Sequence, residues 1–214
     1  MPLAEQRFAV DKIFKIAETV KGFLDPQEGR ALYRTALEAS RRGPCLEVGT
    51  YCGKSALYLG AACRVTGGTL FTVDHHRGSE EHQQGEAYFD AELFDRRQGR
   101  VDTFPEFRAN LARAGLEEWV VPLVCRSSLA ARAWSTPLAL LFIDGGHAQA
   151  TVQGDYDCWS LHIQPGGYLL IHDIFPDPAQ GGQAPYQIYQ AALASGDYEA
   201  VAMVQTLGIL RRRV

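Results

Sequence analysis

The residues best placed to do chemistry form one short stretch, Cys45-Leu46-Glu47-Val48-Gly49-Thr50-Tyr51-Cys52-Gly53-Lys54-Ser55. An apolar run enters a glycine turn, and a helical pattern over Ser55–Val65 follows it. Such a turn aims backbone N–H groups and the positive end of a helix at an anionic or polar ligand. Three ligand classes compete for it. A phosphate loop needs G-x-x-x-x-G-K-[ST], and Gly53-Lys54-Ser55 supplies the end of that pattern. Leu140-Leu141-Phe142-Ile143-Asp144 imitates its partner strand, but only three residues separate Gly49 from Gly53, one too few to wrap phosphates. A dinucleotide fingerprint needs a second glycine where Tyr51 stands, and that side chain blocks the approach of a pyrophosphate. What remains is E-x-G-x-x-x-G followed by an acid after the next apolar run. Asp74 supplies it, 25 residues beyond Gly49. A carboxylate there can accept from both ribose hydroxyls of a nucleoside. The competing structural explanation is a tight turn whose glycines serve only helix–strand packing.

A second concentration of reactive types is Asp74-His75-His76-Arg77-Gly78-Ser79-Glu80-Glu81-His82. Three histidines beside two glutamates form either a metal or acceptor-binding patch or a solvated lid. His75 stands apart, because it directly follows the expected ribose acid. A third is Asp144, at the end of an apolar run, where ligands of open α/β sheets bind.

The elements that must position these residues are legible from periodicity. Phe8, Ile13, Phe14, Ala17 and Val20 recur at helical spacing. Asp25-Pro26-Gln27-Glu28 reads as an N-cap, a proline at the first helical position and a glutamate at the third, opening a second helix with Leu32, Ala36 and Leu37 inward. Apolar runs then fall at Cys45–Val48, Thr69–Val73, Val120–Cys125, Leu138–Ile143 and Tyr168–Ile171. Helical patterns lie between them at Ser55–Val65, Phe104–Ala114 and Ala148–Ile163. Strands alternating with helices specify a parallel sheet covered on both faces. Tyr186–Ala194 continues as a helix, and Tyr198–Val204 with Leu207–Arg212 forms a closing hairpin. The expected fold is therefore α/β: a three-layer Rossmann-like domain with a mixed seven-stranded sheet whose last strand is antiparallel. Residues 1–42 make N-terminal helices suited to a lid or a homodimer contact; residues 43–214 make the main domain, with an insert at 75–100.

Composition narrows the function classes. At 214 residues, 46% hydrophobic and 21% charged, the chain is globular rather than disordered. A net charge of −4 argues against nucleic acid, which requires a basic stripe. No apolar run approaches the roughly 18 residues of a membrane span. The five cysteines contain no C-x-x-C pair, which fits reduced thiols in a cytoplasmic enzyme.

A loop with few open glycines suits a nucleoside ligand without pyrophosphate, and S-adenosylmethionine is the commonest of these. Glu47-Val48-Gly49-Thr50-Tyr51-Cys52-Gly53-Lys54-Ser55 resembles the cofactor loop of the Rossmann-like (class I) S-adenosylmethionine-dependent methyltransferases, especially catechol O-methyltransferase-like bacterial small-molecule enzymes. The resemblance runs from about residue 43 to the C-terminus. It implies cofactor contacts at Glu47, Gly49, Thr50, Tyr51, Gly53 and Ser55, with Gly49, Tyr51 and Ser55 holding the methionine end. It further implies the ribose at Asp74, His75 beside the adenosine, and adenine at Ser127 and Ser128, although many relatives carry an aspartate at Ser127.

Phe142-Ile143-Asp144-Gly145-Gly146-His147, Asp155, Trp159, Pro165-Gly166-Gly167 and Ile171-His172-Asp173 are similar to a second block of the same group. Metal-dependent members bind magnesium at three positions that fall here on Asp144, His172 and Asp173. Oxygen donors are usual there, so His172 is a departure that favours manganese, iron or zinc. His147 aligns with the residue that deprotonates the acceptor hydroxyl, and Asp144 with the methyl-transfer site. The reading is methylation of a small-molecule acceptor, at oxygen; divalent-metal assistance stands beside a plainer reading in which Asp144 and Asp173 cap strand ends and accept loop N–H groups. A metal-independent N- or C-methyltransferase and a non-catalytic S-adenosylmethionine-binding protein remain open alternatives.

Overall fold

The computed structural model describes residues 3–146 and 148–214, with side chains from residue 8 onward. Two helices come first, α1 (Leu3–Thr19) and α2 (Pro26–Ala39). A capping box opens α2: Asp25 accepts from the Gln27 N–H at 2.7 Å, and Glu28 accepts from the Asp25 N–H at 3.1 Å. The alternating part follows as β1 (Cys45–Val48), α3 (Lys54–Thr66) and β2 (Leu70–Val73). A long insert then carries only two single-turn helices and a two-residue ribbon, β3 (Phe94–Asp95) against β4 (Arg100–Val101). After it come α4 (Phe104–Ala114), β5 (Val120–Leu123), α5 (Ser127–Arg132), β6 (Leu138–Ile143), α6 (Gln149–Trp159), β7 (Ile163–Ile171), α7 (Ala184–Ala194), β8 (Tyr198–Val204) and β9 (Leu207–Arg212).

The seven-stranded sheet has the order β5-β2-β1-β6-β7-β9-β8. Strands β5, β2, β1, β6 and β7 run parallel; β9 is antiparallel to β7, and β8 to β9. Every residue of β1 and β6 is buried, as strands covered on both faces require. One core packs α1 to α4 on one side, around Leu32, Leu57, Tyr58 and Phe107. The other packs α6 and α7 opposite, around Trp159 and Ile188.

Register is what matters for function. Val48 pairs with Val73 on one side and Ile143 on the other, and Ile143 pairs with Ile171. The residues that follow these four, Gly49, Asp74, Asp144 and His172, therefore form one row across the strand ends. The row is held by backbone bonds beyond the strands: Gly49 N–H to Val73 O, Asp144 N–H to Val48 O and His172 N–H to Ile143 O. Sheet order reverses between β1 and β6, which is where open α/β sheets bind ligands.

Three expectations from periodicity need correction. Phe8 shares the helical spacing of its neighbours but is 75% exposed, so among the described side chains of α1 the first buried one is Val10. Helix α6 stops at Trp159 and gives way to a single 3-10 turn, and β7 starts at Ile163, five residues before its uninterrupted apolar run. Helix α5 carries no buried residue and so left no apolar period to detect. Among the described residues no helix is long and apolar enough to cross a membrane.

Candidate active site

A cavity of about 690 Å³ lies over the row of strand ends. Its walls come from the glycine loop, the strand ends, α5, α6, the α1–α2 linker and the insert. That volume is typical of small-molecule sites.

The glycine loop is shaped by close approach. A Cβ on Gly49 (φ +85°) would stand 2.2 Å from the Asp144 carbonyl oxygen, so only glycine lets β1 and β6 converge there. Tyr51 adopts φ 49°, a strained conformation for a non-glycine residue, and Asp173 adopts φ 57°. Both line the cavity, where such strain is characteristic of function. Asp74 holds the loop in place. One of its carboxylate oxygens accepts from the Thr50 and Tyr51 N–H groups, both at 2.9 Å, and the other from the His76 N–H at 2.7 Å. It thus ties β2 to the loop, and a carboxylate oxygen retains capacity for further donors.

Of the expected cofactor residues, Gly49, Thr50, Tyr51, Ser55, Asp74, His75, Ser127 and Ser128 line the cavity, whereas Glu47 and Gly53 do not. Gly53 caps α3 in the left-handed region, against Phe107. Glu47 is fully buried behind the loop, and neither carboxylate oxygen has a hydrogen-bond partner among the described residues. Burial pushes its carboxyl up to about 8, opposed by the Ser55 and Thr50 hydroxyls and reinforced by the charges of Asp144 and Asp74. Ser127 Oγ accepts from Trp159 Nε1 at 2.7 Å, so Trp159 is both core and support for the α5 wall. Asp155 lines the same wall with its pKa raised by burial.

Asp144, His172 and Asp173 come together with ligand atoms all within 4.8 Å of one another. His172 is almost fully buried. Its Nδ1 lies 3.1 Å from Asp144 Oδ1 and 3.3 Å from Asp173 Oδ2, yet makes a hydrogen bond to neither. Burial disfavours charge on the ring, but Asp144, Asp173 and Glu28 outweigh it and raise the pKa above the ordinary histidine value. An orphaned buried nitrogen facing two carboxylates fits a cation. Ligand atoms sharing one ion at about 2.1 Å stand about 3.0 to 3.4 Å apart in octahedral or tetrahedral geometry, which matches the two spacings from His172 Nδ1. The expected base, His147, lies outside the described residues.

Residues the sequence did not single out complete the site. Lys21, Phe23 and Leu24 of the linker line the cavity opposite Gly78–His82 of the insert. Lys21 pairs with Asp90 and Glu92, and the rings of Phe23 and Tyr88 meet edge-on at 5.1 Å. The Tyr51 ring packs on His82 at 5.0 Å. The insert histidines do not form a metal cluster with one another: His76 is buried against Phe104 and Phe107, and His82 bonds Ser79.

A family model described as a methyltransferase domain matches residues 46–174, more than half of the chain. The chain belongs to this methyltransferase family. The matched span covers the glycine loop, Asp74, Ser127 and the Asp144/His172/Asp173 cluster. Solved structures share the fold at low identity. A putative O-methyltransferase from Klebsiella pneumoniae aligns with TM-score 0.65 and 16% identity over 96% of this chain and 90% of that one. The O-methyltransferase TomG from Streptomyces achromogenes, in complex with S-adenosylmethionine, gives 0.63 and 16% over 96% and 90%. An O-methyltransferase from Bacillus cereus in complex with S-adenosylhomocysteine gives 0.61 and 18% over 100% and 93%.

Proposed function

We propose that this methyltransferase transfers the methyl group of S-adenosylmethionine to an oxygen of a small-molecule acceptor, with a divalent ion at Asp144, His172 and Asp173. The observation that carries the reading is the row of strand ends, which brings a loop-bound acid, Asp74, and an Asp–His–Asp cluster into one cavity. The loop at Gly49, Tyr51 and Ser55 meets the methionine end, Asp74 the ribose, His75 the adenosine edge, and Ser127 and Ser128 the adenine.

Transfer is an in-line displacement: the acceptor oxygen bonds the methyl carbon as the carbon–sulfur bond breaks, and the acceptor proton leaves to a base, the role expected of His147. The protein's task is alignment and proton removal. The ion, when bound, lowers the acceptor hydroxyl's pKa and anchors its oxygen. Asp144 and Asp173 supply hard oxygen donors and His172 a nitrogen, a set suited to manganese, iron or zinc as well as magnesium.

Thermal shift with S-adenosylmethionine or S-adenosylhomocysteine, each with and without Mn²⁺, tests the donor; mass spectrometry across a panel of hydroxyl and amine acceptors tests the reaction. Stabilisation by both nucleosides and metal-stimulated O-methylation are expected. No stabilisation at saturation refutes donor binding. Full activity in chelator, or metal dependence unaltered by Asp144→Ala and Asp173→Ala, refutes the ion. Methylation confined to amines, or no product at all, would favour the N-methylating or the non-catalytic alternative.

A further inference from the structure

Glu28 is almost fully buried, and all of its acceptor capacity is engaged. The backbone N–H groups of Asp25 and Thr206 donate to its two oxygens at 3.1 and 2.9 Å, one to each. The Thr206 hydroxyl adds a bond at 2.8 Å, and His172 Nε2 another at 3.0 Å. Satisfying a helix cap explains only the first of these bonds. A carboxylate held by such donors accepts only, so the proton between Glu28 and His172 belongs to Nε2. In the neutral ring that a cation requires, that assignment leaves Nδ1, the atom facing Asp144 and Asp173, as the lone pair. Metal-ligating histidines characteristically donate their other ring N–H to a carboxylate, which fixes ring orientation and raises ligand basicity. Thr206 braces the same unit from the β8–β9 turn, its carbonyl accepting from the Ile174 N–H at 3.0 Å, immediately beyond Asp173.

We infer that Glu28 is a positioning residue of the metal site: from the first turn of α2 it locks His172 with Nδ1 toward Asp144 and Asp173, so an N-terminal helix outside the matched methyltransferase span sets the site's affinity for a divalent cation. The inference rests on the proposed ion site and concerns how that site is built.

The test is Mn²⁺ titration by calorimetry of the wild type, Asp144→Asn and Glu28→Gln, with S-adenosylhomocysteine affinity measured alongside. Loss of a carboxylate behind a metal-bound histidine weakens metal binding by about 10- to 100-fold. Glu28→Gln is expected to weaken Mn²⁺ by that factor and to leave S-adenosylhomocysteine affinity within about twofold. Mn²⁺ bound equally by wild type and Glu28→Gln, but lost in Asp144→Asn, overturns the role of Glu28 and leaves the ion site standing. A wild type that binds no Mn²⁺ overturns both. Because Glu28 also caps α2, a second measurement uses the unmutated protein. Ring ¹⁵N spectra of His172 in the Zn²⁺-loaded enzyme should show the proton on Nε2; a proton on Nδ1 overturns the inference whether or not the variant folds.

Discussion

Replacing Glu47 by glutamine tests the electrostatics beneath the loop. Glu47 is fully buried with no hydrogen-bond partner among the described residues, and its carboxyl is pushed up to about 8 from an ordinary 4.5. Above pH 4.5 the unfolded chain releases a proton that the folded chain keeps until about pH 8. The unfolded state then binds fewer protons, so stability falls as pH rises across that window. The full shift corresponds to about 5 kcal/mol at roughly 1.4 kcal/mol for each pH unit, of which about 3 to 4 falls between pH 5 and pH 8. That is a large fraction of the roughly 5–15 kcal/mol that holds a domain together. Glu47→Gln keeps the shape and removes the titration. Urea unfolding followed by tryptophan fluorescence, at pH 5 to 9 in chelator, gives the difference between wild type and variant at each pH. Contributions from His172 and Asp155 are common to both proteins and cancel. The variant should gain on the wild type by about 1 kcal/mol per pH unit up to about pH 8, then level off. A difference that stays flat from pH 5 to 9 would show that Glu47 ionises normally inside the fold and would refute the reasoning.

Gly49→Ala combines a left-handed backbone penalty with a Cβ 2.2 Å from the Asp144 carbonyl oxygen, so it should cost about 2–5 kcal/mol in urea unfolding and weaken S-adenosylhomocysteine binding. Unchanged affinity in a folded variant would mean that the β1–β6 approach does not shape the site. Trp159→Phe removes the Nε1–H that supports Ser127, with an expected loss of about 1–3 kcal/mol and a several-fold weaker nucleoside affinity by calorimetry. Lys21→Met breaks half-buried to exposed ion pairs worth about 1 kcal/mol or less in unfolding experiments, yet it should speed S-adenosylhomocysteine release in stopped-flow if the linker and insert close together. An unaltered release rate would separate that contact from ligand retention.

The strands Cys45–Val48 and Leu138–Ile143 were legible in full because doubly covered strands read as unbroken apolar runs. Capping chemistry marked the start of α2 for the same kind of local reason. What stayed hidden depends on distance along the chain. Glu28 looks like an ordinary capping residue, since nothing in the sequence pairs it with His172, 144 positions away. Asp74 was legible as an acid after a strand, but its bonds to the Thr50 and Tyr51 N–H groups depend on how β2 lies beside β1. Glu47 was expected among the cofactor contacts, and its place behind the loop follows from strand alternation rather than motif. The walls contributed by Lys21 and His82 come from segments with no regular period, and only the fold brings them to one mouth.

The Glu28–Thr206 bond spans 178 positions and joins the second helix to the final hairpin. Contacts of such separation raise the contact order of the fold, which slows folding. In chain order Glu28 comes first, His172 next and Thr206 last, so the Glu28 carboxylate has its full set of donors only once the final hairpin is in place. The last strands thus fix a side chain of the second helix and, through it, the ring of His172 at the strand ends.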